Sequence, residues 1–298
     1  ELRGRYQELM GISNTTDSNG QYMFSGYKGS TQPFSEISPG TVVYNGDQGQ
    51  RLIQISPSRQ IAVSDAGLDV FMQIKNGNGV FVTAASATNT GTGLVSPGTV
   101  LDPAMWAAVA DKNLTVTFAV DNTVVPPVTT YDVADTAGPI LSGQPYTSGG
   151  TIDLSATHGI QFAVTGVPAN GDTFSVNAST NESIFTTINN LISALETAVV
   201  PSNQTVLMNN LNTALTNLDN GLDKVLTVRA SVGARMNEID SVKSGGQDVA
   251  LQYDQTLSGL QDLDYARAIS DLTRQQVGLE AAQKSFLKIQ ELSLFNYI

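Results

Sequence analysis

The chain has 298 residues, of which 41% are hydrophobic and only 14% charged, and it carries a formal net charge of −12. This excess of carboxylates argues against binding to nucleic acid or to an anionic membrane surface, because both require Lys and Arg to neutralise phosphate. Cys is absent, which excludes disulfides and thiolate sites, and no apolar run approaches the roughly 18 residues of a membrane-spanning helix.

The first segment, residues 1–72, is predicted to form the N-terminal part of a helical core domain that carries a β-hairpin. Leu2, Tyr6 and Leu9 recur at steps of four and three, which indicates one apolar face of a helix. This helix begins at the first residue without a cap, so we expect it to continue from upstream sequence.

Turn signals follow this helix. The stretch from Asp17 to Gly20 predicts a chain reversal, because Asn and Gly tolerate a positive φ. It also has the start of a calcium-loop pattern, but the later ligands and the distal Glu are missing, which favours a simple turn. Residues 42–44 and 51–55 flank an Asn-Gly-Asp-Gln-Gly turn, and we predict that they pair as the β-hairpin.

Residues 73–179 are predicted to form an inserted all-β domain. This zone contains two Lys and seven Asp but no Arg or Glu. Its apolar residues alternate along short stretches bounded by Gly, Pro and Asn, a period that indicates half-buried strands. The predicted strands, which would form a sandwich or a partly closed barrel, are 114–120, 128–133, 160–164 and 173–176.

Residues 180–298 are predicted to be helical and to complete the core domain. Apolar residues recur there at steps of four and three, which indicates a heptad seam that packs lengthwise against another helix of the chain. Arg229 is the single polar member, and Gly233 is expected to allow close helix approach. Gly245 and Gly246 are expected to form a break or a hinge in the helix. The residues predicted for this intrachain packing are Leu211, Leu215, Leu218, Leu222, Val225, Val232, Gly233, Met236 and Ile239.

A second helical stretch is predicted from about residue 247 to the end of the chain. Its apolar residues lie seven apart, and fifty helical residues would extend roughly 75 Å, too far to bury the stripe within one small domain. We therefore expect this axial helix to contact neighbouring subunits through Tyr265, Leu272, Leu279, Phe286 and Leu292. Together the patterns predict an α+β fold in which both chain ends build a long, coiled-coil-like helical domain around the β insert.

Catalytic, cofactor-binding and metal-binding residues are not indicated by the sequence. His158 is the one histidine, in a Thr-His-Gly stretch typical of a surface turn. One histidine without any Cys leaves no zinc cluster, and a Ser-His-Asp triad would have to use His158. Asp262 and Asp264 lie two apart on a predicted helix and point to different faces. No G-x-S-x-G, P-loop or dinucleotide-binding motif is present. We expect the protein not to be an enzyme.

Several stretches resemble the flagellin superfamily, in particular its bacterial flagellar hook-associated proteins of the hook–filament junction type. The resemblance covers both chain ends and the insert. Its motifs are Asp17-Ser-Asn-Gly-Gln-Tyr-Met-Phe-Ser-Gly26 with Pro33-Phe34, Tyr44-Asn-Gly-Asp47, Gly67-Leu-Asp-Val-Phe71, Gly166-Val-Pro-Ala-Asn-Gly-Asp-Thr-Phe174, Arg229-Ala-Ser-Val-Gly-Ala-Arg-Met-Asn237, Asp262-Leu-Asp-Tyr-Ala266 and the end of the chain from Leu292.

The resemblance implies a structural protein outside the bacterial cell, in the flagellum, exported by the flagellar type III system. It implies self-assembly in a ring or helical array through the terminal helices. The expected partners are copies of the chain, a neighbouring hook-associated protein, flagellin, and an export chaperone that covers the apolar C-terminal helix. It also implies an N-terminal helix, with its export signal, that this sequence does not contain.

Two alternative interpretations remain open at this point. One is flagellin or the neighbouring hook-associated protein; the turn at 22–26 and the end of the chain argue against flagellin. The other, from a different class, is a secreted adhesin or carbohydrate-binding module that uses the β insert. Trp106 and Tyr146 are the aromatic residues that could stack on a sugar, although packing in the core or in a loop is the simpler expectation for both.

Overall fold

The computed structural model describes residues 1–197, 204–261 and 264–291. The chain divides into two compact units, Glu1–Met236 and Asn237–Ile298. Most strands lie together in the chain, between one helix before them and three helices after them, as the sequence predicts for an α+β fold. In the described ranges, no helix is both long enough and apolar enough to cross a membrane.

The N-terminal part of the first unit contains one helix and two separate hairpins. Its elements are α1 Leu2–Ser13, β1 Phe34–Ser38, β2 Thr41–Tyr44, β3 Leu52–Ser56, β4 Arg59–Ala62 and a π-helical turn Leu68–Met72. The predicted pairing of 42–44 with 51–55 is wrong, because β2 pairs with β1 and β3 pairs with β4. The first hairpin turns at Gly40, whose φ of +78° suits glycine, so the Asn-Gly segment after β2 is free for another role.

The β insert follows. Its elements are β5 Ile74–Lys75, β6 Phe81–Ala85, β7 Leu94–Val95, β8 Thr99–Val100, α2 Pro103–Ala108, β9 Leu114–Asp121, β10 Val128–Ala134, β11 Pro139–Pro145, β12 Thr151–Leu154, β13 Ile160–Thr165, β14 Thr173–Ala178 and β15 Asn181–Glu182. The four predicted strands are confirmed as β9, β10, β13 and β14.

Two sheets of the insert share one hydrophobic core. The larger has the strand order β11-β10-β9-β14-β6, and the smaller has the order β12-β13-β7, with β8 also paired to β13. Every second residue from Leu114 to Phe118 on β9 is buried, as period-two alternation predicts. Phe81, Trp106 and Phe174 fill the space between the sheets with these residues.

The C-terminal part is helical, with α3 Ile184–Thr197, α4 Gln204–Gln261 and α5 Tyr265–Glu291. A break at Gly245 and Gly246 is wrong, because α4 continues through both residues, and a hinge there stays a prediction. Two helical glycines each cost about 1 kcal/mol relative to Ala, which a long run of good helix formers on either side tolerates. The division of the sequence at 72/73 and 179/180 stays a prediction.

A second hydrophobic core lies outside the insert and is built from aromatic residues. Phe34, Phe71 and Phe185 pack ring against ring at centroid distances of 5.4–6.1 Å, and Tyr6 of α1 meets Phe185 edge-on. Burial, with a smaller contribution from Glu36, raises the pKa of Tyr6 to about 12. The apolar face of α1 therefore packs mainly against α3.

Candidate functional site

The predicted heptad stripe of α4 lies largely at the surface. Leu211, Leu218 and Gly233 are partly buried. The other predicted intrachain packing residues are exposed: Leu215, Leu222, Val225, Val232, Met236 and Ile239. For these six, the structure corrects the prediction, because the seam they form faces solvent instead of a helix of the same chain.

The face of α4 that packs within the first unit is polar and small instead. Its buried residues are Asn209, Ala214, Asn217 and Gly221. Gly221 is the position of close approach, since a methyl group added there would lie 2.7 Å from the side chain of Ile184. No atom lies within 4 Å of the corresponding point at Gly233, so the close approach predicted there occurs three turns earlier. The exposed apolar stripe of α4 therefore makes no packing contact of this kind within the first unit.

An ion pair from Arg235, in one of the resembling motifs, ties α4 to the chain at the end of the β3–β4 hairpin. Arg235 donates from Nη2 to both carboxylate oxygens of Asp65 at 2.7 Å, and from Nη1 to the carbonyl oxygen of Ala62 at 3.0 Å. Both charged side chains are only 17% exposed. Sequence reasoning missed this pair, because the two residues lie 170 positions apart and no local pattern links them.

The two N-terminal turn motifs bind each other through hydrogen bonds between side chains of one motif and backbone groups of the other. The carboxylate of Asp47 accepts hydrogen bonds from the N–H groups of Tyr27 and Gly49, which lowers its pKa. Gly26 has a φ of +71°, and a methyl group there would collide with the same carboxylate. Tyr44 donates its hydroxyl to the carbonyl oxygens of Phe24 and Asp47 at 2.9 and 2.7 Å. The Asn-Gly segment after β2 thus holds the turn at 22–26.

The chain reversal predicted at Asp17–Gly20 is confirmed, and the carboxylate of Asp17 accepts hydrogen bonds from backbone groups of the turn. Asp17 Oδ1 accepts the N–H groups of Asn19 and Gln21 at 2.8 and 2.9 Å. These bonds, that of Gln21 first, lower the pKa of Asp17. Gly20 has a φ of +75°, and Thr16 bridges to Tyr22 across the reversal. Among the described residues, no cluster of three acidic or histidine side chains could hold a metal ion.

The predicted subunit-contact residues of α5 are exposed wherever the structure describes them. Tyr265 is 74% exposed, Leu272 55%, Leu279 63% and Phe286 61%. They lie seven residues apart, so they occupy one face of this 27-residue helix. Leu292, the fifth predicted contact, lies outside the described residues.

His158 differs from its sequence-based prediction, because it is buried rather than at the surface. Its ring lies 6.4 Å from that of Trp106, its Nδ1 is 2.9 Å from the hydroxyl of Thr157, and its Nε2 is buried without a hydrogen-bond partner. Desolvation lowers the pKa of His158, and Asp135 and Asp111 partly oppose this effect. Trp106 is itself only 4% exposed, so both rings belong to the core of the insert.

Two solved structures illustrate what this chain is similar to. A flagellar hook-associated protein-3 from Legionella pneumophila is 33% identical, with a TM-score of 0.77, and the alignment covers 88% of this chain and 80% of that protein. The FlgL protein of Xanthomonas campestris is 30% identical, with a TM-score of 0.74 and coverage of 87% and 80%.

A curated relative at lower identity has a corresponding name. Flagellar hook-associated protein 3 of Escherichia coli K12 is 25% identical over 297 residues, which make up 99% of this chain. The chain spans 63% of the length of that relative. No protein-family model matches the chain.

Proposed function

Because this chain belongs to the family of flagellar hook-associated protein 3, we propose that it is a structural subunit of the junction between hook and filament in a bacterial flagellum. One of the similar Legionella structures is described as a flagellar junction protein. In this role the chain would act as an adaptor that joins the hook, through another hook-associated protein, to the filament.

The observation that carries the proposal is the apolar face of α5. Four large apolar or aromatic side chains at seven-residue spacing, each more than half exposed, follow one face of the helix as a stripe. An exposed stripe of this kind is stable in water only when other helices cover it, as in a coiled coil. The exposed leucines and valines of α4 provide a second apolar stripe. We propose that copies of the chain associate through the α5 stripe in a ring or helical array.

Three further partners fit the same surface. A neighbouring hook-associated protein and flagellin would contact the two ends of the array through terminal helices of their own. An export chaperone would cover the α5 stripe before assembly, since the bare stripe would otherwise promote aggregation. We place the protein outside the cell, in the flagellum, after export by the flagellar type III system.

We propose a structural role rather than catalysis or sugar binding. His158 and Trp106 are buried in the insert, where neither is accessible to a substrate. Tyr146 is partly buried, and its hydroxyl donates to the carbonyl oxygens of Val164 and Gly166. These contacts within the insert explain the residue without a bound sugar. A glycan-binding assay on the full chain tests the adhesin alternative; a saturable, sugar-specific signal would support it.

The experiment that tests the proposal places a charge in the α5 stripe. Leu279→Asp is expected to leave the chain folded, because the residue is exposed, and to abolish incorporation at the hook tip in a strain that lacks the native protein. Ser270→Asp is the matched control, since nine residues amount to two and a half helical turns and place it on the opposite face. Incorporation is scored by motility and by the protein content of isolated hooks.

The two variants separate the possible outcomes. Secretion of Leu279→Asp into the medium without incorporation would support the assembly role. Loss of secretion itself would show that the stripe binds the export chaperone first. Normal incorporation of Leu279→Asp, or equal loss for both variants, would show that this face does not make the subunit contact.

A further inference from the structure

We propose that three asparagines of α4, Asn209, Asn217 and Asn220, form an amide clamp that fixes the orientation of the β insert on the helix. The clamp goes beyond the proposed function, because it concerns orientation within one chain and its test requires no assembly. All three residues and their partners lie in the first unit.

The covalent connection between insert and helical core is slight. The chain enters through β5 and leaves through β15, and these two strands pair over only two residues each. The side chain of Asn76 supports this neck by accepting the N–H of Thr180 at 2.9 Å. A neck of two short strands would by itself allow the insert to pivot.

Two asparagines hold the neck against α4. Asn217 accepts the N–H of Gly77 at 2.9 Å and donates to the carboxylate of Glu182 at 3.3 Å. Asn220 donates to the carbonyl oxygens of Lys75 and Gly77, both at 2.8 Å. The side chain of Asn217 is buried, so its bond to Gly77 is shielded from water.

The third asparagine binds the insert at a separate place, the free edge of β7. Asn209 accepts the N–H of Val95 and donates to the carbonyl oxygen of Gly93, both at 3.0 Å. These are the two backbone groups that flank Leu94 on the edge of the sheet, where a neighbouring strand would otherwise bind. The side-chain amide has the same donor and acceptor as a peptide group and takes the place of that strand.

Two separate attachments to α4 prevent the insert from rotating about the helix, whereas a single attachment would allow it. Asn209 precedes Asn217 by eight residues and Asn220 by eleven, which is about 12 and 16 Å along the helix. The amides therefore bind the neck and the sheet edge at well-separated points of the same face. Because each donates or accepts hydrogen bonds with defined directions, the insert is held in one orientation.

The absence of Cys allows a direct test in the full chain. Cysteines introduced by Ser142→Cys on the insert and Ala230→Cys on α4, both exposed, would carry two spin labels. Electron–electron double resonance then gives the distance distribution between them. The test variants are Asn209→Asp and Asn220→Asp, alone and together; they keep the side-chain size but replace a donating amide by a carboxylate that repels carbonyl oxygens.

We expect a narrow distribution for the unchanged clamp and at least a doubling of its width in the double variant. Asn210→Asp is the matched control, an exposed neighbour with the same charge change, and its distribution should stay narrow. Fluorescence of Trp106, the only tryptophan, reports whether the insert remains folded. If the double variant loses the emission of a buried tryptophan, the two single variants are measured instead. Their distance distributions must then be broader than that of the unchanged clamp.

Two results would overturn the clamp. One is an unchanged distance distribution in the variants while Trp106 emission shows a folded insert, because the neck alone would then set the orientation. The other is broadening of equal size in Asn210→Asp, which would attribute the effect to added charge on α4.

Discussion

Removal of the Arg235 side chain tests how α4 is fixed to the β3–β4 hairpin within the first unit. In Arg235→Ala, Asp65 loses both of its 2.7 Å bonds to the guanidinium, and the carbonyl of Ala62 loses its 3.0 Å bond. Asp65 keeps one side-chain donor, Gln50, at 3.1 Å. The variant therefore leaves a carboxylate with one neutral partner at a site where it is 17% exposed.

The expected cost lies between two known limits. A fully exposed ion pair contributes about 0–1 kcal/mol, and removal of one member of a fully buried pair costs about 3–5 kcal/mol. Because both side chains are largely but not completely buried, we expect Arg235→Ala to lower the free energy of unfolding by about 2–3 kcal/mol. For a unit of this size, that corresponds to a decrease in melting temperature of about 5–10 °C.

Urea unfolding followed by circular dichroism measures the loss, and amide hydrogen exchange locates it. Protection should fall first in β3 and β4, which the ion pair holds. Arg229→Ala is the matched control, because it removes the same charge from an exposed position of the same helix and should change stability by less than about 0.5 kcal/mol. In a double-mutant cycle, Asp65→Ala should add little to Arg235→Ala.

Two results would refute this reasoning. Equal stability losses for Arg235→Ala and Arg229→Ala would show that the charge, and not the contact, matters. Additive losses in the cycle would show that Arg235 and Asp65 do not act as a pair.

Two further predictions concern the only histidine and two helical glycines. Since burial lowers the pKa of His158 below 6.5, the unfolded chain binds a proton there that the folded chain resists, so stability should fall as pH drops below about 6.5 and the His158→Gln variant should lose that pH dependence. Gly233→Ala should stabilise the chain by about 1 kcal/mol, because its surroundings are open, whereas Gly221→Ala should forfeit this gain through its contact with Ile184.

Unfolding measured between pH 7 and pH 5 tests the histidine, because the aspartates with lowered pKa values titrate below this range. An identical pH dependence in His158→Gln and the unchanged chain would disprove its role. For the glycines, equal stabilisation by both substitutions would show that Gly221 is not a point of close packing.

Local patterns in the sequence were sufficient for most elements. Strands β9 and β14 follow from alternation, and α4 follows from apolar residues at steps of three and four, because these periods depend only on the backbone geometry of each element. The turn at Asp17 was also predictable, since its hydrogen bonds are local. The pairing of β2 was not predictable from the sequence. Its alternation of apolar and polar residues fits a hairpin with the strand before it and a hairpin with the strand after it equally well.

The sequence by itself determined that α4 is an amphipathic helix, that the middle of the chain is a β domain, and that thiol chemistry is absent. Only the tertiary structure decided which face of α4 packs within the chain. Apolar periodicity marked the leucine stripe, yet the buried face consists of Asn209, Ala214, Asn217 and Gly221. The physical reason is that strand edges and the neck present backbone N–H and C=O groups, which amide side chains can satisfy and leucine cannot.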